Sequence, residues 1–304
     1  LVLILTPYYM EMVSPPVPII EEFIDEEPKQ DTQTVEYRDY ENTSNKDSEL
    51  IAPLKSKKET IIKIENDLYI ATISSTCGGS IKSFEIKEHL THDSGFVNLI
   101  TPDNIKNLLV GFKDFNGNQI QLDVGWVLQS SADSYYIDVA KSITYTNTIN
   151  NKVITKVLTF YPDKFLIDID IDITALANNT LANNYTLTWF GGIPPTEKDS
   201  VTESTYFYSY IYQGGELLDV KVSQDETFSN DYKGQTDWVA TRSKYFVTCL
   251  LDDSGDQFGG STIAASYKSK ELYDLSVSLK SNKVANFSLY IGPLEYERIK
   301  SLGV

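Results

Sequence analysis

His89 and His92 are the only imidazoles in the chain and stand three residues apart in Glu88-His89-Leu90-Thr91-His92-Asp93. With flanking carboxylates, such a pair could do acid–base work of the kind that sugar-ring mutarotases perform. Three-residue spacing in a polar stretch fixes no geometry, however, and no Ser, Cys or third orienting group stands with them, so surface histidines are expected. Asp168-x-Asp170-x-Asp172 opens like a calcium loop, but the places where that loop needs Gly and Glu hold Ile173 and Asn179. Phe165, Ile167, Ile169, Ile171 and Ile173 alternate with these aspartates, so the segment reads as a strand whose carboxylates face water. Cys77 and Cys249 lie in separate apolar strand patterns; an oxidising compartment would permit a disulfide, and two isolated buried thiols are the expected state. Tyr206, Tyr208, Tyr210 and Tyr212 alternate along one strand face, with Phe207 and Ile211 on the other. They could line a groove for a polyether, a sugar or an extended peptide, or pack across strands on an outer sheet face, which is the expected role. No catalytic residue, cofactor site or metal site is expected: two Cys and two His without C-x-x-C or His-x-x-x-His spacing leave little material for one.

The elements that must carry these residues are strands. From about residue 59 the apolar period is two almost throughout, clearest at 165–173 and at Ile120, Leu122, Val124, Trp126 and Leu128. Further strands are expected at 60–75, 80–88, 134–146, 152–161, 184–190, 205–212, 244–251, 261–267, 272–280 and 284–291, separated by turn pairs such as Asn150-Asn151 and Gly214-Gly215. Residues 59–291 are expected to fold as one unit, because no Pro/Ser-rich break interrupts them. Helical spacing with a start and a stop occurs only at 293–303, where Pro293 suits a first turn, Tyr296, Ile299 and Leu302 share a stripe, and Gly303 can close the helix. The expected fold is an all-β sandwich of antiparallel strands with a short C-terminal α-helix over 59–304.

Charge and hydropathy divide the rest of the 304 residues. The chain carries 43 Asp and Glu against 26 Lys and Arg, a net charge of −17 that repels phosphate backbones and excludes nucleic acid as an expected partner. Residues 21–50 hold eleven of those acids and three bases without apolar periodicity, so 17–58 is read as a disordered acidic spacer. Leu1-Val2-Leu3-Ile4-Leu5 followed by Tyr8-Tyr9 suggests that 1–16 is the end of a transmembrane helix.

Four segments, taken in order, add a resemblance. Trp238-Val239-Ala240-Thr241-Arg242-Ser243-Lys244-Tyr245-Phe246 resembles the Trp-x-Ala, three residues, Lys-Tyr-Phe pattern of the YidC family of bacterial membrane protein insertases. Ile73 to Phe84, with Gly78-Gly79, resembles that family's first hairpin. Trp189-Phe190-Gly191-Gly192-Ile193-Pro194-Pro195-Thr196-Glu197 is similar to its Gly-Gly, Pro, Thr-Glu loop, and Tyr290-Ile291-Gly292-Pro293 with Tyr296 and Lys300-Ser301-Leu302-Gly303 to the exit from its periplasmic domain. The resemblance spans about 60–304. It implies a β-supersandwich like that of galactose mutarotases, lying in the periplasm and tethered between transmembrane helices one and two of an inner-membrane protein. It also implies a non-catalytic accessory or chaperone-like role toward nascent inner-membrane proteins, with the Sec translocon subunits SecD/SecF as partners. The helix bearing Tyr296, Ile299 and Leu302 would then couple the domain to the membrane core. Independently of the resemblance, two aromatics on opposite faces after Lys244 are what a half-buried strand needs, so Trp238, Tyr245 and Phe246 are expected to serve the fold and not to form a catalytic or binding constellation. The alternative is a carbohydrate-binding or mutarotase-like sandwich of the cell envelope, for which only His89 and His92 are available as acid–base groups.

Overall fold

The computed structural model describes residues 55–101, 106–222, 226–266 and 272–304, all within the unit Lys46–Val304; residues 1–16 and most of the acidic spacer lie outside the described residues. In chain order the strands are β1 (Ile61–Glu65), β2 (Tyr69–Ser74), β3 (Ser80–Leu90), β4 (Phe96–Asn98), β5 (Leu109–Lys113), β6 (Gln119–Gln121) and β7 (Val127–Leu128). Next come β8 (Ser134–Tyr136), β9 (Lys141–Ile149), β10 (Lys152–Phe160), β11 (Leu166–Asp172) and β12 (Asn184–Trp189), then helix α1 (Ser200–Ser204). The chain continues as β13 (Tyr208–Gln213), β14 (Glu216–Val220), β15 (Thr227–Lys233), β16 (Thr236–Arg242), β17 (Phe246–Leu251), β18 (Gly260–Ser266), β19 (Leu272–Lys280) and β20 (Ala285–Pro293), and ends in α2 (Tyr296–Ser301).

These strands form three sheets, ordered β4-β3-β2-β1-β8, β14-β13-β16-β17-β20-β11-β10-β9-β7 and β15-β18-β19-β12-β5-β6. Among the described residues every pairing is antiparallel except β1 with β8. Period two explains the layering. Ile167, Ile169 and Ile171 of β11 are buried, and register sets Ile167 beside Leu289 and Ile169 beside Phe287 of β20. Leu187 and Trp189 of β12 and Leu275, Val277 and Leu279 of β19 belong to the same buried cluster, and β16 packs against β18 and β19 to join the nine- and six-stranded sheets. The five-stranded sheet joins through aromatics: Tyr69 stacks on Phe84 at 4.2 Å between ring centres, and Phe165 lies 6.1 Å from Tyr69 and 6.3 Å from Tyr290. The expected antiparallel all-β architecture is therefore present.

Several expected boundaries are corrected. The stretch 60–75 is two strands, because Asn66 accepts hydrogen bonds from the backbone N–H groups of Leu68 and Tyr69 and turns the chain. Ile120 to Leu128 is not one regular strand. Gly125, at φ +89°, bends it, and a Cβ there would fall 2.8 Å from the Asn147 side chain that donates to the Val124 carbonyl. Likewise 134–146 is split between β8 and β9. The terminal helix begins at Tyr296 rather than Pro293, which instead closes β20 opposite Phe246. Ile299 and Leu302 pack on the core as expected, but Tyr296 is 73% exposed and stands off their stripe.

Gly292, just before that exit, has a steric reason to be glycine, since a Cβ would fall 2.7 Å from Phe165 Cγ. Gly292→Ala is expected to destabilise the domain by about 1–3 kcal/mol through overpacking, read as a lower urea midpoint at unchanged slope.

Candidate functional site

A cleft of about 470 Å³ opens where all the exits meet: the end of β3 (Glu88, His89, Leu90), Val97 of β4, the β12–α1 connection (Thr196, Glu197), the β16–β17 turn with the first residue of β17 (Lys244, Tyr245, Phe246), and the chain leaving β20 (Pro293, Leu294, Glu295). Its apolar lining comes from Leu90, Val97, Phe246, Pro293 and Leu294, and its polar lining from Glu88, His89, Glu197, Lys244, Tyr245 and Glu295.

Each wall is set by local hydrogen bonding. Ser243 N–H donates to the Phe246 carbonyl at 2.9 Å, which tightens the β16–β17 turn and separates the roles of the next residues. Phe246 is buried at the cleft floor, with the His89 ring edge-on at 5.2 Å, whereas Tyr245 is 44% exposed at the rim. The Tyr245 carbonyl accepts from Leu294 N–H at 2.7 Å and ties the turn to the exit segment. On the opposite wall, Glu203 of α1 is fully buried; its carboxylate accepts from Thr196 N–H (2.7 Å), Glu197 N–H (2.8 Å) and the Thr196 hydroxyl (2.8 Å). That anchor aims Glu197 at Tyr245, whose hydroxyl donates to it at 2.7 Å, and at Lys244, 3.3 Å away. Arg298 of α2 ties two lining residues together, donating to Glu295 (2.7 Å) and Glu88 (3.1 Å) with its guanidinium 4.9 Å from the Phe165 ring centre.

Two of the charged groups in the cleft hold each other ionised. The Tyr245 hydroxyl, and then Lys244, hold the Glu197 carboxyl below its ordinary range, and Tyr245 and Glu197 hold the Lys244 ammonium above its own. Both groups are thus driven away from neutral pH, the opposite of what a general acid or base needs. The cleft presents charged groups above an apolar floor.

The residues singled out from sequence fall in several places. His89 lines the cleft, while His92 is exposed beside Asp93, 3.4 Å away, and is not part of the lining. Asp168 accepts from Ser288, Asp170 from Asn286 and Asp172 from Thr174, along the half-buried outer face of β11. Cys77 and Cys249 are free and buried; burial pushes the Cys77 thiol up to about 12 and raises that of Cys249 as well. Of the four tyrosines, Tyr206 is not on the strand: it sits in the turn after α1, with Lys244 5.7 Å from its ring centre. Tyr208 and Tyr210 stack at 6.1 Å, Tyr212 stacks on Trp238 at 5.6 Å, and Lys221 and Arg242 lie over Tyr208 at 4.6 and 5.8 Å. Tyr208, Tyr210 and Tyr212 form a packed, half-exposed outer face and do not line the cleft. Residue types alone do not single out Glu197, Glu203 or Lys244, and Tyr245, expected to serve the fold, stands at the cleft rim. The signal that brings them forward is that three of the four resembling segments, Thr196-Glu197, Lys244-Tyr245-Phe246 and the residues around Pro293, converge on one cleft.

Comparisons with known proteins place the chain in a family. The chain is 27% identical over 263 residues to a protein named membrane protein insertase YidC from Chlorobium luteolum, covering 83% of this chain and 45% of that protein. It is 30% identical over 269 residues to the protein of that name from Chlorobaculum parvum, covering 81% and 44%. The chain thus spans less than half the length of these relatives. Among solved structures, a candidate aldose 1-epimerase from Escherichia coli K12 matches with a TM-score of 0.42 and 9% identity, over 78% of this chain and all of that one. A family model described as the YidC periplasmic domain matches residues 61–304. The chain therefore belongs to the YidC periplasmic domain family, and this region lies in the periplasm as part of an inner-membrane protein.

Proposed function

We propose that the chain is a non-catalytic accessory and scaffolding domain of a YidC-type membrane protein insertase, aiding the insertion and folding of nascent inner-membrane proteins together with the Sec translocon and its SecD/SecF subunits. In this reading 1–16 is the end of a membrane helix, 17–58 an acidic spacer, 59–304 the working domain, and α2, held by Ile299, Leu302 and Arg298, the joint toward the membrane core. The observation that carries the reading is the cleft: family-like segments far apart in sequence meet where the chain leaves the sandwich, and their charged groups are pinned in pairs rather than poised for chemistry. Exposed Leu90 and Tyr245 supply apolar and aromatic contact area at its mouth.

Leu90→Asp and Tyr245→Ala in the full-length protein test this. Both side chains are largely exposed, so each variant is expected to keep the thermal midpoint of the wild type. Each is expected to lower the insertion yield of an inner-membrane reporter by about fivefold, the consequence of ~1 kcal/mol lost at an interface contact. Unchanged yield in both variants would remove the cleft from the function.

A further inference from the structure

β14 is the last strand of the nine-stranded sheet and, among the described residues, pairs only with β13. Four of the other sheet edges are short: β4, β6 and β8 have three residues each and β7 two. β15 is longer but carries Asn230, Asp231 and Lys233. β14 is the least protected of these edges, its only blunting charges being the two acids Glu216 and Asp219. It has five residues, neither lysine nor proline and no register shift, and it exposes Leu217 by 57% and Leu218 by 38%.

The open side of this strand can be specified residue by residue. Gly214 and Gly215, at φ +60° and +80°, form a two-residue turn closed by Gln213 opposite Glu216. Hydrogen-bonded pairs alternate from such a closing pair, so Leu217 and Asp219 point their N–H and C=O groups away from β13. Register places Leu217 beside Tyr212, Asp219 beside Tyr210, and Tyr212 beside Trp238, so the free backbone edge adjoins a half-exposed aromatic face.

Charge selects the occupant. Glu216 and Asp219 bracket the two leucines. A second copy pairing antiparallel around Leu218 would set Asp219 diagonal to its own counterpart, a like-charge contact between chains that already carry −17 each. An opposite charge across the strand is favourable instead. We propose that β14 is a docking edge for an extended apolar segment of another polypeptide that bears lysine or arginine. The segment adds as a further antiparallel strand through Leu217 and Asp219, sets its basic residues against Asp219 on the face that Tyr210 and Tyr212 continue, and turns its apolar residues to the Leu218 face. This surface acts independently of the cleft and of insertion activity.

The test uses the whole 304-residue chain and a fluorescein-labelled ten-residue peptide of alternating valine and lysine. Saturable binding by fluorescence anisotropy is expected, with slowed hydrogen exchange at the Leu217 and Asp219 amides. Asp219→Pro removes one outward N–H while leaving the β13 ladder intact, as an edge position allows; it is expected to weaken binding at least about tenfold. Asp219→Asn is expected to weaken it less, and a peptide with glutamate in place of lysine is expected not to bind. The proposal is overturned if the lysine peptide does not bind, if it binds without protecting the Leu217 and Asp219 amides of the wild-type chain, or if Asp219→Pro binds it equally well. Equal binding of the glutamate peptide overturns the assignment of a basic partner.

Discussion

Replacing Glu203 with alanine is expected to cost about 2–4 kcal/mol of stability and to release one wall of the cleft. The side chain is fully buried, yet all three donors it accepts belong to Thr196 and Glu197, so its truncation leaves two backbone N–H groups and a hydroxyl without their acceptor. The damage should be directional. With the loop loosened, Glu197 loses its alignment on Tyr245 and Lys244, so protease cleavage and amide exchange should rise first at 194–199. Glu203→Gln keeps the volume and one strong acceptor for both N–H groups, while its amide can donate to the Thr196 hydroxyl; it is expected to lose less than half as much. Equal losses for the two variants in urea denaturation would show that volume rather than hydrogen bonding holds the wall.

The second large effect is a pH dependence that originates far from the cleft. Lys156 of β10 is fully buried; its ammonium donates to the carbonyls of Cys77 (2.7 Å) and Leu108 (2.6 Å) and lies 5.4 Å from the Trp126 ring centre. Desolvation pushes its pKa down to about 7. In the unfolded chain a lysine titrates near 10.4, so between about pH 7 and that value the unfolded state binds the extra proton. Folding is therefore opposed at low pH, and stability rises with pH through this window, by up to about 1.4 kcal/mol per unit. Cysteines and tyrosines whose folded values are raised act in the opposite sense above about pH 8.5, so the comparison is made below that pH and against Lys156→Met, in which the tyrosine contributions remain. Between pH 7 and 8.5 the stability of the wild type is expected to gain about 2 kcal/mol relative to Lys156→Met. Parallel pH profiles would mean that the two carbonyls and the indole keep the ammonium charged throughout.

How much of this was legible follows from the range of the interactions involved. The strand at 272–280 matches β19, and 152–161 and 284–291 come within a residue or two of β10 and β20, because alternation is a local property and these strands pair without a register shift. Ile120 to Leu128 also alternates, and Leu122 and Trp126 are indeed buried, but a bend at Gly125 serves that alternation rather than a ladder. No pattern signals β14, because Glu216-Leu217-Leu218-Asp219-Val220 has no period: its first four residues are exposed and only Val220 is buried. The cleft was legible only as separate words. Glu203 lies in a Thr- and Ser-rich stretch that gives no hint of burial, and no local pattern tells that residues 89, 197, 245 and 294 meet. The resemblance put the segments in order, and the fold put them in contact.

The claim that the cleft is the partner-facing surface is tested most directly by a photo-cross-linking residue placed at Leu90 in the full-length protein, with Val139, also exposed but outside the cleft lining, as the reference position. During insertion of an inner-membrane protein, Leu90 is expected to cross-link to a nascent chain or to a translocon subunit, and Val139 is not. Adducts that are absent from Leu90, or equally abundant from Val139, would contradict the account.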